Sequence, residues 1–388
     1  MTVTGIVCEY NPFHNGHLYH INETKKLCGS DAIIAVMSGD YVQRGEPALI
    51  DKYTRTRMAL LAGASIVIEL PVRFSTMSAE GFAYSAVNIL KNTGVVNSIC
   101  FGSEVGNLDD IKKLADIILN EPTDVSENIQ KYLKEGHSYP KARMMALAPY
   151  TSIDYTPNNI LAIEYMKALH GSDITPYTVT RSDNGYNNDD INNHSVGICS
   201  ASAIRKCIFE NDDSDISAYM PEGYVKMIKN PMNANAFSDI LLSNILSNMD
   251  ELESFAEVNR EIADRIKNNI SDFKDFDSFC ELIKTKQFTL TRIKRALLHI
   301  CLNIKESKSY SVPYIRVLGF RKDASHVLKE MTEKAHVPVI TRPGYDIKQI
   351  SDPYALSVFD ENTRCSELYR ILSKTTEYNE YTHGLEML

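Results

Sequence analysis

Three histidines recur at intervals of three in the string Val7-Cys8-Glu9-Tyr10-Asn11-Pro12-Phe13-His14-Asn15-Gly16-His17-Leu18-Tyr19-His20. Side chains three apart share one face of a helix, so His14 and His17 can meet one ligand. Such rings can donate hydrogen bonds to oxygens on which charge develops. The helix N-terminus beneath them adds unpaired N–H groups and a partial positive charge. Gly16 lets a ligand approach the backbone closely. The chemistry this set could do is gripping a polyphosphate. Plain surface histidines and a zinc site are the other readings. Zinc would need further ligands, and no nearby cysteine or acidic cluster supplies them.

The surrounding elements favour the phosphate reading. Residues 5–10 read as a buried strand and 16–27 as the helix that follows it. Strands are expected at 31–37, 65–70 and 98–101. Helices are expected at 48–62, with Pro47 in the first turn, and at 78–90. Short apolar strands alternating with helices mean βαβ units and a parallel sheet. Ligands of such sheets bind beyond the carboxyl ends of the strands, which is where His14 and His17 fall. The pattern then turns helical to about 147. A strand is expected at 174–180 and a helix at 202–209. Between them the polar run 181–195 reads as a loop. From 212 to 303 the period is helical. Residues 311–342 suggest a small α/β element, and the last forty residues carry no clear pattern.

At 388 residues the chain exceeds one ordinary core. The expected division is 1–210 as the catalytic α/β domain and 211–388 as a mainly helical region. The net charge of −9 rules out a uniformly basic surface. Residues 284–342, however, carry thirteen Lys or Arg against four Asp or Glu. Arg292, Lys294 and Arg295 cluster there, which suits either a polyanion partner or a solvated helix face. None of the eight cysteines forms a CxxC pair, which suits reduced thiols in the cytoplasm. Cys8 and Cys100 read as core residues. No apolar run approaches the ~20 residues of a membrane helix, so no membrane partner is expected.

The string EYNPFHNGHLYH resembles the HxGH signature of the nucleotidylyltransferase superfamily. Its partner motif is similar to Ser200-Ala201-Ser202-Ala203-Ile204-Arg205, about 185 residues downstream. The strings MSGDYVQRGEPALIDKYTRTRMAL, VIELP, FGSE, PNNILAIEY, SASAIRK, KTKQFTLTRIKRALLHI and VPYIRVLGF occur in order. Together they resemble the tRNA(Met) cytidine acetate ligase family. The resemblance implies a Rossmann-like HxGH sheet and an ATP-dependent ligase. Such an enzyme forms acetyl-adenylate from acetate and ATP, then acetylates N4 of the wobble cytidine in elongator tRNA(Met).

The same resemblance assigns ATP contacts to Val7 through His20, Gly102, Asn158, Arg181, Ser202 and Arg205. Asn159 competes with Asn158 for its role. His14, His17 and Arg205 are the expected catalytic groups. Arg292, Lys294 and Arg295 are expected to hold tRNA, with Arg55 and Arg57 facing water or tRNA phosphate and Met58, Leu60 and Leu61 inward. Mg²⁺ is expected with ATP, without a dedicated carboxylate cage, and no protein-bound metal is assigned. Where the family tends to show Gly-Tyr-His-Asp, this chain has Gly185-Tyr186-Asn187-Asn188. A nucleotidylyltransferase acting on a small-molecule phosphate and a non-catalytic tRNA-binding protein remain alternatives. The oligomeric state is left open.

Overall fold

The structure, a computed structural model, describes residues 1–181, 197–210, 215–307, 309–375 and 379–388. The loop expected after Arg181, with Asn187 in it, lies outside the described residues at 182–196. In chain order the first half runs β1 (Val3–Cys8), α1 (Asn15–Cys28), β2 (Ala32–Ser38), β3 (Tyr41–Val42), β4 (Glu46–Pro47), α2 (Lys52–Leu61), β5 (Ile66–Leu70), α3 (Val72–Ser75) and α4 (Ala79–Asn92). It continues through β6 (Ser98–Ser103), α5 (Leu108–Asn120), α6 (Thr123–Lys134), α7 (Tyr139–Leu147), α8 (Pro157–Leu169), β7 (Thr175–Thr180) and α9 (Ala201–Glu210).

Strands β5, β2, β1, β6 and β7 lie side by side and parallel. Every residue of β2 (AIIAVMS) is buried, as a central strand covered on both faces requires. Alternate residues serve opposite layers. Ile34 and Val36 join α4 and α8 in one core, while Ile33, Ala35 and Met37 join α1, α2 and α9 in the other. Pro176 is tolerated in β7 because that strand closes one edge of the sheet. Strand order reverses about β1, whose neighbours are β2 and β6, so the crevice of a doubly wound sheet opens there.

The helix expected from residue 48 starts instead at Lys52. Asp51 caps it, accepting from the N–H groups of Tyr53 and Thr54. The preceding N–H groups are already used, Ala48 by the Asp40 carbonyl and Leu49 by Asn11 Oδ1. Pro47 therefore sits in the β3–β4 hairpin, not in a helix. Met58 and Leu60 point inward as expected, but Leu61 is half-exposed. Arg55 corrects its expectation outright: it is fully buried. Its guanidinium donates to the carbonyls of Glu9, Ser38, Gly39 and Ile50, satisfying the ends of β1 and β2.

The second half contains α10 (Ser238–Ser247), α11 (Arg260–Asn269), α12 (Phe276–Ile283), α13 (Leu290–Leu302), β8 (Ile315–Phe320), α14 (Ser325–Lys334), β9 (Val339–Ile340), α15 (Pro343–Asp346), α16 (Pro353–Leu372) and β10 (Glu386–Met387). Helices α10 to α13 enclose their own core around Phe237, Phe276 and Leu297. The expected boundary at 210 does not bound the sheet. Strand β8 pairs antiparallel with β5 and carries β9 and β10 on its far side. The small α/β element of 311–342 is thus part of the main sheet. Helix α16 joins both layers, with Phe359 in the sheet core and Tyr369 in the helical one.

Candidate nucleotide-binding active site

A cavity of about 390 Å³ opens at the carboxyl ends of β1, β6 and β7. His14 is the N-cap of α1, and the two histidines close the cap between them. His14 Nδ1 accepts from the Gly16 N–H at 3.0 Å, and His17 Nδ1 accepts from the His14 N–H at 3.2 Å. A nitrogen that accepts carries no hydrogen, so each neutral ring bears its proton on Nε2. The rings lie 3.8 Å apart, centroid to centroid. A Cβ on Gly16 would come within 2.9 Å of the His14 ring, so glycine is needed for the cap itself.

Burial holds the His17 pKa well below its ordinary 6.5, with His14, Arg181 and His20 adding to the effect. His20 is pushed down to about 4 by burial and by Arg181, and its Nε2 is buried without a hydrogen-bond partner among the described residues. These rings are neutral donors at pH 7.

The second motif arrives opposite. Ser200 Oγ accepts from the Ala203 N–H at 3.1 Å, capping α9, and lies 3.0 Å from Ser202 Oγ. One turn on, Arg205 donates to the Asn11 carbonyl at 2.7 Å. That bond ties α9 to the loop between β1 and α1, so two helix N-termini face one cavity. Asn15 secures the arrangement by donating to the carbonyls of Gly197 and Ala218.

On the β6 side, Gly102 lies beneath the Arg181 stem. Arg181 donates to Asn158 Oδ1 at 3.3 Å, and Asn158 in turn donates to Glu104 at 2.7 Å. The pair Asn158 and Asn159 divides cleanly. Asn158 lines the cavity, whereas Asn159 is 2% exposed and spends its amide on Glu104, Val105 and Asp154.

Within the expected stretch, Val7 to Asn11, His14, Gly16, His17, Tyr19 and His20 line the cavity. Pro12, Phe13, Asn15 and Leu18 do not. Phe13 is wholly buried and packs against Tyr10 and His17, supporting the His17 ring. Cys8, expected in the core, lines the cavity, while Cys100 is buried.

Sequence reasoning missed Gln43 and Arg44, which the β3–β4 hairpin delivers into the cavity. The available signal was a basic residue beside a turn glycine in QRGEP. Gly45 has a φ of 77°, and a Cβ there would meet the backbone of Lys294 and Arg295 in α13 at 2.4–2.8 Å. The hairpin is therefore seated directly on α13.

This contact involves Lys294 and Arg295, both expected to hold tRNA. Lys294 pairs with Glu46 at 2.6 Å and Asp277 at 2.9 Å. Arg295 makes two bonds to Glu257, and its side chain is 9% exposed. Both charges are thus paired within the chain. Arg292 stacks on Phe288 and keeps its side chain more exposed. Lys294→Ala is therefore expected to weaken ATP binding about tenfold, ~1.4 kcal/mol, by loosening Glu46 and the hairpin. Titration calorimetry should show the salt dependence of tRNA binding unaltered. A changed salt slope with intact ATP affinity would restore the tRNA role.

Among the described residues no group of three or more His, Cys, Asp or Glu is arranged to hold a metal ion. The cavity presents Arg44, Arg181 and Arg205 together with two helix N-termini, groups of a kind that suits anionic ligands. No helix among the described residues is long and apolar enough to cross a membrane.

A parallel sheet with HxGH at its switch point and paired helix N-termini defines the HIGH nucleotidyl transferase class, whose family model matches residues 1–383. Relatives narrow the class. A Clostridium perfringens (strain SM101) protein named tRNA(Met) cytidine acetate ligase is 40% identical, covering 98% of this chain and 97% of its own. One of the same name from Thermoanaerobacter sp. (strain X514) is 38% identical over 97% and 96%. Thermotoga maritima TmcAL bound with alpha-thio ATP superposes with a TM-score of 0.90 at 31% identity, covering all of both chains. The chain belongs to the tRNA(Met) cytidine acetate ligase family.

Proposed function

We propose that this chain is an ATP-dependent ligase that acetylates N4 of the wobble cytidine of elongator tRNA(Met), using acetate. The observation that carries the reading is the convergence of His14, His17 and Arg205 on one cavity between two helix N-termini. The acetate oxygen attacks the α-phosphorus of ATP and pyrophosphate departs, leaving acetyl-adenylate. The cytidine amine then takes the acetyl group and AMP is released. Such chemistry asks the protein chiefly for alignment and charge stabilisation. His14 and His17 donate from Nε2 to phosphate oxygens, and Arg205 neutralises the departing pyrophosphate. Asn158 and Arg181 hold the remainder of the nucleotide. A tRNA substrate supports a cytoplasmic location for the reaction.

The test is exchange of labelled pyrophosphate into ATP, with acetate and without tRNA. Acetate-dependent exchange, followed by transfer of labelled acetate to tRNA(Met), is the expected result. Exchange driven only by a phosphorylated small molecule would instead support a metabolite nucleotidylyltransferase.

A further inference from the structure

Among the described residues lining the cavity, Glu9 supplies the one carboxylate. Two of the reactants, ATP and acetate, are anions, so a negative group beside them needs a reason. Glu9 follows directly on β1, the strand about which the strand order reverses. Its Oε1 is pinned, accepting from the Gln43 N–H at 2.7 Å and from the Ser38 hydroxyl at 3.2 Å. Its backbone carbonyl is held by Arg55. Oε2 has no donor among the described residues. A carboxylate fixed by one oxygen and open at the other is built to accept a hydrogen bond from a ligand N–H.

Two ligand amines could supply it, N6 of adenine and N4 of cytidine. Glu9 feels the charges of Arg44 and Arg205, and Arg205 grips the carbonyl of Asn11 two residues away. The carboxylate thus lies beside the phosphate-binding groups. Adenine N6 is the end of ATP farthest from its phosphates, while the cytidine amine must come within bonding distance of the acyl phosphate. Carboxylates also accept readily from cytosine N4.

We propose that Glu9 is the catalytic residue that binds N4 of the acceptor cytidine and removes its proton during acetyl transfer. This rests on the acetate ligase reading. The N4 lone pair forms the bond to the acetyl carbon, and the acyl C–O bond to AMP breaks, with its electron pair leaving on AMP. One N4 proton passes to Oε2 and from there to water. Burial raises the Glu9 pKa, against the Gln43 N–H and Arg44, making it a stronger base.

The test separates the two half-reactions in the full-length protein. Glu9→Gln should lower single-turnover transfer of labelled acetate to tRNA(Met) by about 10²–10⁴-fold, a far larger fold-loss than it causes in acetate-dependent pyrophosphate exchange. In the unsubstituted chain, transfer should rise with pH as the carboxylate ionises, and the glutamine variant should lose that acid limb. Glu9→Asp, which keeps the charge, should recover transfer at least about tenfold over the glutamine form, ~1.4 kcal/mol. Equal loss of exchange and transfer, a raised KM for ATP, or full transfer by Glu9→Gln would each overturn the assignment. If the unsubstituted chain shows no acetate-dependent exchange, the ligase reading itself fails.

Discussion

His17→Ala is expected to slow acetate-dependent exchange of pyrophosphate into ATP by about 10²–10³-fold, the cost of removing one preorganised donor from a site of developing charge. His17 is constrained from three directions. Its Nδ1 accepts from the His14 N–H, which commits the proton to Nε2. Phe13 and Tyr10 pack against its ring with centroids 5.5 and 4.9 Å away. Burial, aided by His14, Arg181 and His20, keeps it neutral. Because the folded pKa lies well below 6.5, the ring should contribute no titration to the exchange rate between about pH 7 and 8. The substitution also removes half of the cap of α1, about 1 kcal/mol of helix stability, which a thermal melt would register separately. Binding of tRNA, measured by filter retention, should remain within about twofold, ~0.4 kcal/mol. Exchange that survives the substitution, or tRNA binding that collapses with it, would refute a phosphate-gripping role.

The second large effect concerns stability. Lys52, Glu69, Arg316 and Glu380 form an ionic cluster whose side chains are all 0–2% exposed. Lys52 Nζ lies 2.8 Å from Glu69 and 2.6 Å from Glu380, Arg316 lies 2.7 Å from Glu380, and the Tyr53 hydroxyl donates to Glu380 at 3.0 Å. Glu380→Ala leaves two buried cations facing one carboxylate. Breaking a buried pair costs about 3–5 kcal/mol, and the urea midpoint should fall accordingly. Burial alone would raise the Glu380 carboxyl, but Lys52 and Arg316 outweigh it and hold the group at about 2. A carboxyl depressed from its ordinary 4.5 stabilises the fold above that value, and the contribution is lost as pH falls from 4.5 toward 2. Glu69 moves the other way, raised by burial, and its second oxygen lacks a partner among the described residues. The Glu380→Ala protein should therefore lose the acid dependence between those values. A midpoint within about 1 kcal/mol of the parent's, against the 3–5 expected, would show that the cluster breaks even with its desolvation cost.

Local pattern carried much of the architecture. The strands expected at 65–70 and 98–101 and the helices expected at 16–27 and 78–90 fall within two residues of those observed, because short apolar runs and 3.6-residue periods are written in neighbouring residues. The HxGH and SASAIR strings are equally local, each a helix start, though the second stands out only through its resemblance to the family's partner motif. What stayed hidden depends on contacts between distant segments. A β-strand of only two residues, such as β10 (Glu386–Met387), carries no periodicity, and its place is decided by the open edge of β8.

Charge was the least readable property. Arg55 and Lys294 look alike in the chain, two basic residues on amphipathic helices, and both looked destined for solvent or nucleic acid. Arg55 instead meets four carbonyls, and Lys294 meets Glu46 from 248 residues away. Residue type and spacing were enough to specify the α/β order, the two helix starts and the phosphate chemistry, because those follow from backbone propensity and short-range hydrogen bonds. Which carboxylate neutralises which cation, and so which charges remain for a ligand, was settled only by folding, because Coulomb energy depends on separation and burial in space and not on distance along the chain.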